Sequence, residues 1–194
     1  KYLGYFKKYA YKLGYMFVKY WIEGSVLTKS QVSRMGEASL ASDLLVALIS
    51  GPQTNKNISS FYRRYEEEEK AELVTAAERF DEVMSYIGNI YTPEDLKSTN
   101  FKRIHLFYSL FCAIAHGLYG MKTMEDTTRP EISPKMVGRI RNSLDNLSSD
   151  FDRADSLEDE ELEKFVDYSR RATTDTARRK FRAEYICSKL LENQ

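Results

Sequence analysis

The stretch LFYSLFCAIA, Leu106 to Ala115, constrains the fold more than any other part of the sequence. It carries no charge and reads as a helix that is apolar nearly all round. At ten residues it is half of the ~20 that a membrane-spanning helix needs. Such a helix must be enclosed by others, so the spacing predicts a central core helix from Phe101 to about Tyr119, capped by Asn100 and ended by Gly120.

The flanking sequence supplies amphipathic helices to enclose it. Apolar residues at Tyr2, Tyr5, Phe6, Tyr9, Leu13, Met16, Phe17 and Tyr20 recur at three- and four-residue steps, predicting a first helix that Gly24 closes. Ser30 is the expected cap of a second helix, whose stripe through Leu40, Leu44, Leu45, Leu48 and Ile49 stops at Gly51-Pro52. After the polar loop GPQTNKNIS, a short helix around Phe61, Tyr62 and Tyr65 leads into a longer one carrying Leu73, Phe80, Val83 and Ile87. TPEDLKSTN breaks that pattern. Ser133-Pro134 opens a helix reaching about Leu147, another runs from near Ser156 to about Arg171, and a last one starts at Thr174 or Asp175.

The expected fold is therefore all-α, a single bundle of seven to eight helices with no sheet, spanning residues 1–194 as one domain. Four Pro and nine Gly in 194 residues agree with that class. Two cysteines, Cys112 and Cys187, lie in apolar helical patterns without the spacing of a disulfide framework or a zinc site, which fits a reducing, cytoplasmic setting. Lys1 in place of Met predicts a segment of a longer polypeptide.

No catalytic constellation emerges. His105 and His116 stand eleven residues apart, ~16 Å along a helix, too far to share a metal ion. Cys112 and His116 form an i, i+4 pair, but on a helix apolar all round they read as core cysteine and hydrogen-bonded core histidine. The acid run Glu66 to Glu69 reads as a solvated helix start. There is no phosphate-binding glycine loop, no HExxH and no GxSxG. The spacing of helical ribonucleases, Arg followed by His four to six residues later, is absent too: Arg103 precedes His105 by two and His116 by thirteen.

Charge points to surfaces instead. The chain is neutral overall, yet residues 1–64 hold ten bases against three acids, 65–100 three against ten, 101–149 seven against four, 150–169 two against nine, and 170–194 seven against three. Both basic ends are interleaved with aromatics, a composition that suits nucleic acid or a docked domain. On the first helix Lys1, Lys8, Lys12 and Lys19 fall on one face. On the last, Ala183, Ile186, Cys187, Leu190 and Leu191 form the expected buried stripe, which leaves Arg178, Phe181, Arg182 and Tyr185 on the expected exposed side, with Arg179 beside them.

Four segments carry a family resemblance: RMGEASLASDLLVALISGPQTNKNISSFYRRYEEE (34–68), FDEVMSYIG (80–88), FKRIHLFYSLFCAIAHGLYG (101–120) and RRATTDTARRKFR (170–182). Together the sequence resembles the C-terminal helical region of the GmrSD-type restriction family, bacterial defence proteins also known for a ParB/sulfiredoxin-like domain. The positions that carry it are Arg34, Glu37, Gly51, Pro52, Phe61, Tyr62, Tyr65, Phe107, Tyr108, Phe111, Thr173, Thr174, Asp175, Arg178 and Arg182. The resemblance implies that an N-terminal ParB-like domain precedes this region and holds the nucleotide motif. It implies no catalytic residue, metal or cofactor in residues 1–194, whereas the parent would use a nucleoside triphosphate and a divalent metal.

On that reading the chain is the scaffold and interaction half of a cytoplasmic, bacterial, DNA-targeting anti-phage restriction protein. Its expected partners are the ParB-like domain, DNA and a second copy of itself, with no membrane. The expected DNA or interdomain contacts are Lys8, Lys12, Lys19, Arg178, Arg179, Arg182, Phe181 and Tyr185. The alternative is an oligomerisation or protein-interaction module that touches no DNA.

Overall fold

A computed structural model describes residues 4–130 and 132–191. Lys1, Tyr2 and the side chain of Leu191, all named above, lie outside the described residues. Among those described there are ten α-helices and no strand. They are α1 (Tyr5–Glu23), α2 (Lys29–Val32), α3 (Gly36–Ser50), α4 (Ile58–Arg64), α5 (Ala71–Ile90), α6 (Pro93–Lys97), α7 (Ile104–Tyr119), α8 (Val137–Arg153), α9 (Glu160–Arg170) and α10 (Thr176–Leu191).

The all-α class holds, and the number of helices exceeds the expected seven to eight because two are too short to show a period. Both are made by capping boxes. Thr28 accepts from the Gln31 backbone while the Gln31 side chain accepts from the Thr28 N–H, which starts α2 ahead of the expected Ser30. Thr92 and Asp95 do the same for α6, with Pro93 at its first position, so TPEDLK is a helix rather than a break. One other boundary moves for the same kind of reason: Asp159 itself accepts from Leu162 N–H and starts α9. Of the two residues expected at the start of the last helix, Asp175 is the cap, accepting from the N–H groups of Ala177 and Arg178 to start α10.

The apolar run becomes α7, buried from Leu106 through Gly117. Helices α3, α5 and α10 pack around it, α1 lies on α3 and α5, and α8 and α9 close the side of α10 that α7 leaves open. Aromatic rings carry these contacts between layers. Phe17 of α1 meets Phe80 of α5 at 5.8 Å between centroids, and Phe80 meets Phe111 of α7 at 5.2 Å. On the far side Phe151, Phe165, Tyr185, Phe181 and Tyr168 form a second chain of rings joining α8, α9 and α10.

Two glycines end helices in the left-handed region, Gly51 after α3 (φ 81°) and Gly120 after α7 (φ 74°). A Cβ on Gly51 would lie 2.2 Å from the Lys122 carbonyl oxygen, whereas one on Gly120 meets nothing within 4 Å. Gly120→Ala is accordingly expected to cost about 1–2 kcal/mol of backbone strain alone, and Gly51→Ala upwards of about 3 kcal/mol because the loop after α7 must also move. Urea unfolding of the two variants measures the difference; equal losses would mean that this loop yields freely.

Candidate functional site

The first predicted surface stands open. Lys8, Lys12 and Lys19 are exposed on α1, and Tyr15, at 84% exposure, lies between them on the same ridge. Met16 and Tyr11 flank it, 49% and 36% exposed. Lys19 makes a loose pair with Glu23 at 3.8 Å, and Lys8 sits over the Tyr5 ring at 5.9 Å. Lys12 edges a hollow shared with Glu78 and Asp81 of α5, so the basic ridge borders an acidic one.

The second predicted surface is corrected. Arg182 has no exposure, while Tyr185 and Arg179 retain only 4% and 5%. Phe181 is half-buried against Tyr168 and Tyr185. Arg178 is the partly open member, its guanidinium over the Tyr168 ring at 4.6 Å and 3.6 Å from Asp167. The reason is that α10 is covered on two sides, by α7 on one and by α8 and α9 on the other, so a single buried stripe does not describe it.

Those buried arginines build a different site. Arg179 grips Asp43 of α3 with both arms, at 2.7 and 2.8 Å, donates to the Gln53 carbonyl at 2.9 Å, and stacks on the Tyr108 ring at 4.1 Å. Burial opposes charge on Arg179, but the hydrogen bonds and charge of Asp43 outweigh it and hold the guanidinium protonated. Arg182 donates to Ser109 Oγ at 3.1 Å and to the carbonyls of Tyr168 and Thr173 at 2.7 and 2.6 Å. Every one of these acceptors is neutral. Burial first, and then the neighbouring charge of Arg179, bring its pKa down to about 10, which leaves it cationic at neutral pH.

In front of this pair opens a cleft of about 360 Å³. Tyr108 and Arg179 form its buried base beside the partly buried Asp43; Gln31, Arg34, Asn55, Ile104 and Thr174 stand exposed at its edge; Gly36, His105 and Thr173 are among the residues of the wall. It draws on residues 27–58, 104–108 and 173–179, and thereby meets three of the four segments on which the resemblance rests. Arg34, Tyr108, Thr173 and Thr174 line it directly, and Asp175 and Arg182 lie just behind.

His105 takes part in the wall with its Nε2 shut off from water and without a hydrogen-bond partner. Burial, then the charges of Arg182 and Arg103, push its pKa down to about 4, so the imidazole is neutral at physiological pH. His116 is the satisfied core histidine expected of it: Nδ1 accepts from Met121 N–H at 3.1 Å, which leaves Nε2 to donate to the Thr127 carbonyl at 3.1 Å. Burial pushes the Cys112 thiol well above its usual range and that of Cys187 up to about 12, so neither sulfur is a ready nucleophile. Among the described residues no group of three or more His, Cys, Asp or Glu side chains gathers as metal ligands, and no helix is long and apolar enough to cross a membrane.

Sequence reasoning missed Asp43 and the role of His105. The signal for Asp43 was present: it is the single charge in ASLASDLLVALIS, and a lone carboxylate on an apolar helix requires a buried cation. Comparison of the chain with protein-family models, with curated proteins and with solved structures finds no match.

Two outcomes follow from this geometry. Asp43→Ala strands Arg179 without its counter-charge and is expected to cost about 3–5 kcal/mol. The double variant Asp43→Leu/Arg179→Met should cost less than the two single changes added together; additive losses in denaturant unfolding would mean that the pair is not coupled. For His105 the folded state refuses a proton that the unfolded chain accepts, so stability is lost as pH falls from about 6.5 to about 4. In melting curves across that window His105→Gln should lose less Tm than the wild type, and parallel curves would remove His105 as the cause.

Proposed function

We propose that this chain is the helical scaffold half of a DNA-targeting bacterial restriction protein of the GmrSD type. It docks a nucleotide-dependent ParB-like domain and lends that domain a basic surface for DNA. The observation that supports DNA contact is the α1 ridge, where Lys8, Lys12 and Lys19 flank a tyrosine with 84% of its surface in water. Cations spaced along a helix meet phosphates, and an exposed ring between them stacks on a base or a sugar. Arg179 and Arg182 serve this function from inside, by fixing α10 to α3 and α7 behind the cleft. Catalysis and the cofactors it needs, a nucleoside triphosphate and a divalent metal, belong in this proposal to the ParB-like domain and to any nuclease unit joined to it.

A second reading rests on the same ridge. Tyr15, Met16 and Tyr11 together expose more apolar surface than isolated surface residues do, and that favours a protein partner, either the ParB-like domain or a second copy of the chain.

Fluorescence anisotropy with labelled duplex DNA across a salt series separates the two. The DNA reading expects affinity that falls linearly with log salt, and a Lys8→Glu/Lys12→Glu variant whose slope is smaller by about two phosphate contacts. An unchanged slope removes the ridge from DNA contact. No binding even at low salt assigns it to the protein partner.

A further inference from the structure

We propose that the cleft between α3, α7 and α10 binds a phosphate group. This goes beyond the α1 ridge, with which the cleft shares no lining residue.

The first ground is the direction of the helices. α3 starts at Gly36, α7 at Ile104 and α10 at Thr176, and the residues at or just before those starts, Gly36, Ile104 and Thr174, all line the cleft. Three helix N-termini therefore face one volume: that of α7 has no acid in its first turn, that of α3 has Glu37 there, and that of α10 is capped by Asp175. No side chain caps α3 or α7, so their first-turn N–H groups lack the usual acceptor.

The second ground is fixed charge. Arg34 stands at the edge with no ion pair or side-chain hydrogen bond among the described residues, and Arg182 lies behind the wall with neutral partners alone. Of the acids nearby, Asp43 is held by both arms of Arg179 and Asp175 accepts from the N–H groups that begin α10. Glu37, in the first turn of α3, does not line the cleft. An anion entering the cleft thus meets Arg34, the one lining cation without a paired acid among the described residues, and the uncapped start of α7, in a partly desolvated space where such interactions are strongest.

The third ground is the set of polar atoms left without partners. Tyr108, 2% exposed, lines the cleft with a hydroxyl that makes no well-formed hydrogen bond; His105 Nε2 and Arg179 Nε, on two other lining residues, are in the same condition. An unsatisfied buried polar atom costs about 1–3 kcal/mol; the Tyr108 hydroxyl and the Arg179 guanidinium lie against each other while His105 Nε2 stands apart, so a group bound in the cleft would gain from polar atoms at two points of its wall. The hydroxyls of Ser39, Thr173 and Thr174 add donors of the kind that hold phosphate oxygens. A volume of about 360 Å³ exceeds what the phosphate alone requires and lies at the lower end of ordinary ligand sites. The phosphate can therefore belong to a mononucleotide or to a nucleic-acid backbone.

Titration calorimetry of the 194-residue chain with inorganic phosphate, at ionic strength held constant with chloride, tests the site. Saturable binding near one equivalent is expected, about tenfold weaker in Arg34→Gln and largely restored in Arg34→Lys. Phosphate should also raise the pKa of His105 in an NMR titration, since a nearby anion favours the imidazolium. Lys8→Glu/Lys12→Glu should leave both readouts unchanged, which keeps this site distinct from the ridge. Repeating the titration with ATP and with a short oligothymidylate identifies the source: the one that binds more tightly than inorganic phosphate, and that phosphate displaces, supplies the group. Absence of saturable binding, or binding indifferent to Arg34→Gln with no movement of the His105 titration, overturns the proposal.

Discussion

A helix that offers water no polar face has to be wrapped, and α7 sets that demand for the whole molecule. Buried from Leu106 to Gly117, it needs neighbours on every side, and α3, α5 and α10 are the helices that meet it. Each of these brings a different stretch of chain, so burying α7 is also what brings residues near 40, 80 and 180 together. The cleft is a by-product of the same packing. Where α7 begins, its apolar run has not yet started, and Ile104 and His105 leave space between the start of α3 and the turn before α10. The constraint that makes the core thus also positions the site.

Closing α10 against α7 required two arginines to go inside, and the two are accommodated differently. Arg179 finds a carboxylate, so its desolvation is offset by a bidentate charged contact. Arg182 finds a hydroxyl and two carbonyls. Neutral dipoles satisfy its hydrogen-bonding capacity without cancelling its charge, and the pKa brought down to about 10 is the signature of that remaining cost. The same carbonyls belong to Tyr168 and Thr173, at the end of α9 and in the turn that follows. Arg182 therefore orders the segment that forms one wall of the cleft.

The helical class, the central place of α7 and several helix boundaries were legible because each is encoded within a few residues: apolar spacing, a Gly-Pro stop, a Ser-Pro start. Asn100, the expected cap of α7, instead begins a 3-10 turn, and α7 starts uncapped at Ile104. Two helices escaped because four or five residues carry no period, although their capping boxes were spelled out in Thr28-x-x-Gln31 and Thr92-x-x-Asp95. The reading of α10 failed for a different reason. A wheel with one apolar stripe and one basic stripe describes a helix at a surface, whereas a helix covered on two sides presents its basic stripe to the interior, and which side is covered depends on α8 and α9 rather than on α10 itself. The ridge on α1 kept Lys8, Lys12 and Lys19 at the surface because among the described residues no helix covers them, α5 only bordering Lys12 through Glu78 and Asp81. The cleft was illegible as a unit, since its residues come from three segments that meet only when α7 is enclosed. What sequence offered was a lone Asp43 on an apolar helix and a basic run ahead of α10, two halves of an ion pair 136 positions apart.

That separation also bears on how a ligand would act. A group bound among α3, α7 and α10 contacts elements whose mutual packing is the fold, so its binding free energy adds to global stability and not just to local order. His105 Nε2 and the Tyr108 hydroxyl, on the wall and base of the cleft, are buried polar atoms whose satisfaction would add to the stability of that packing. The α1 ridge lies on one helix with its lysines exposed, so a group resting there would not bridge the helices that enclose α7. The two surfaces differ in kind for that reason. The ridge belongs to one helix, whereas the cleft is made by α7 and two of the helices that enclose it.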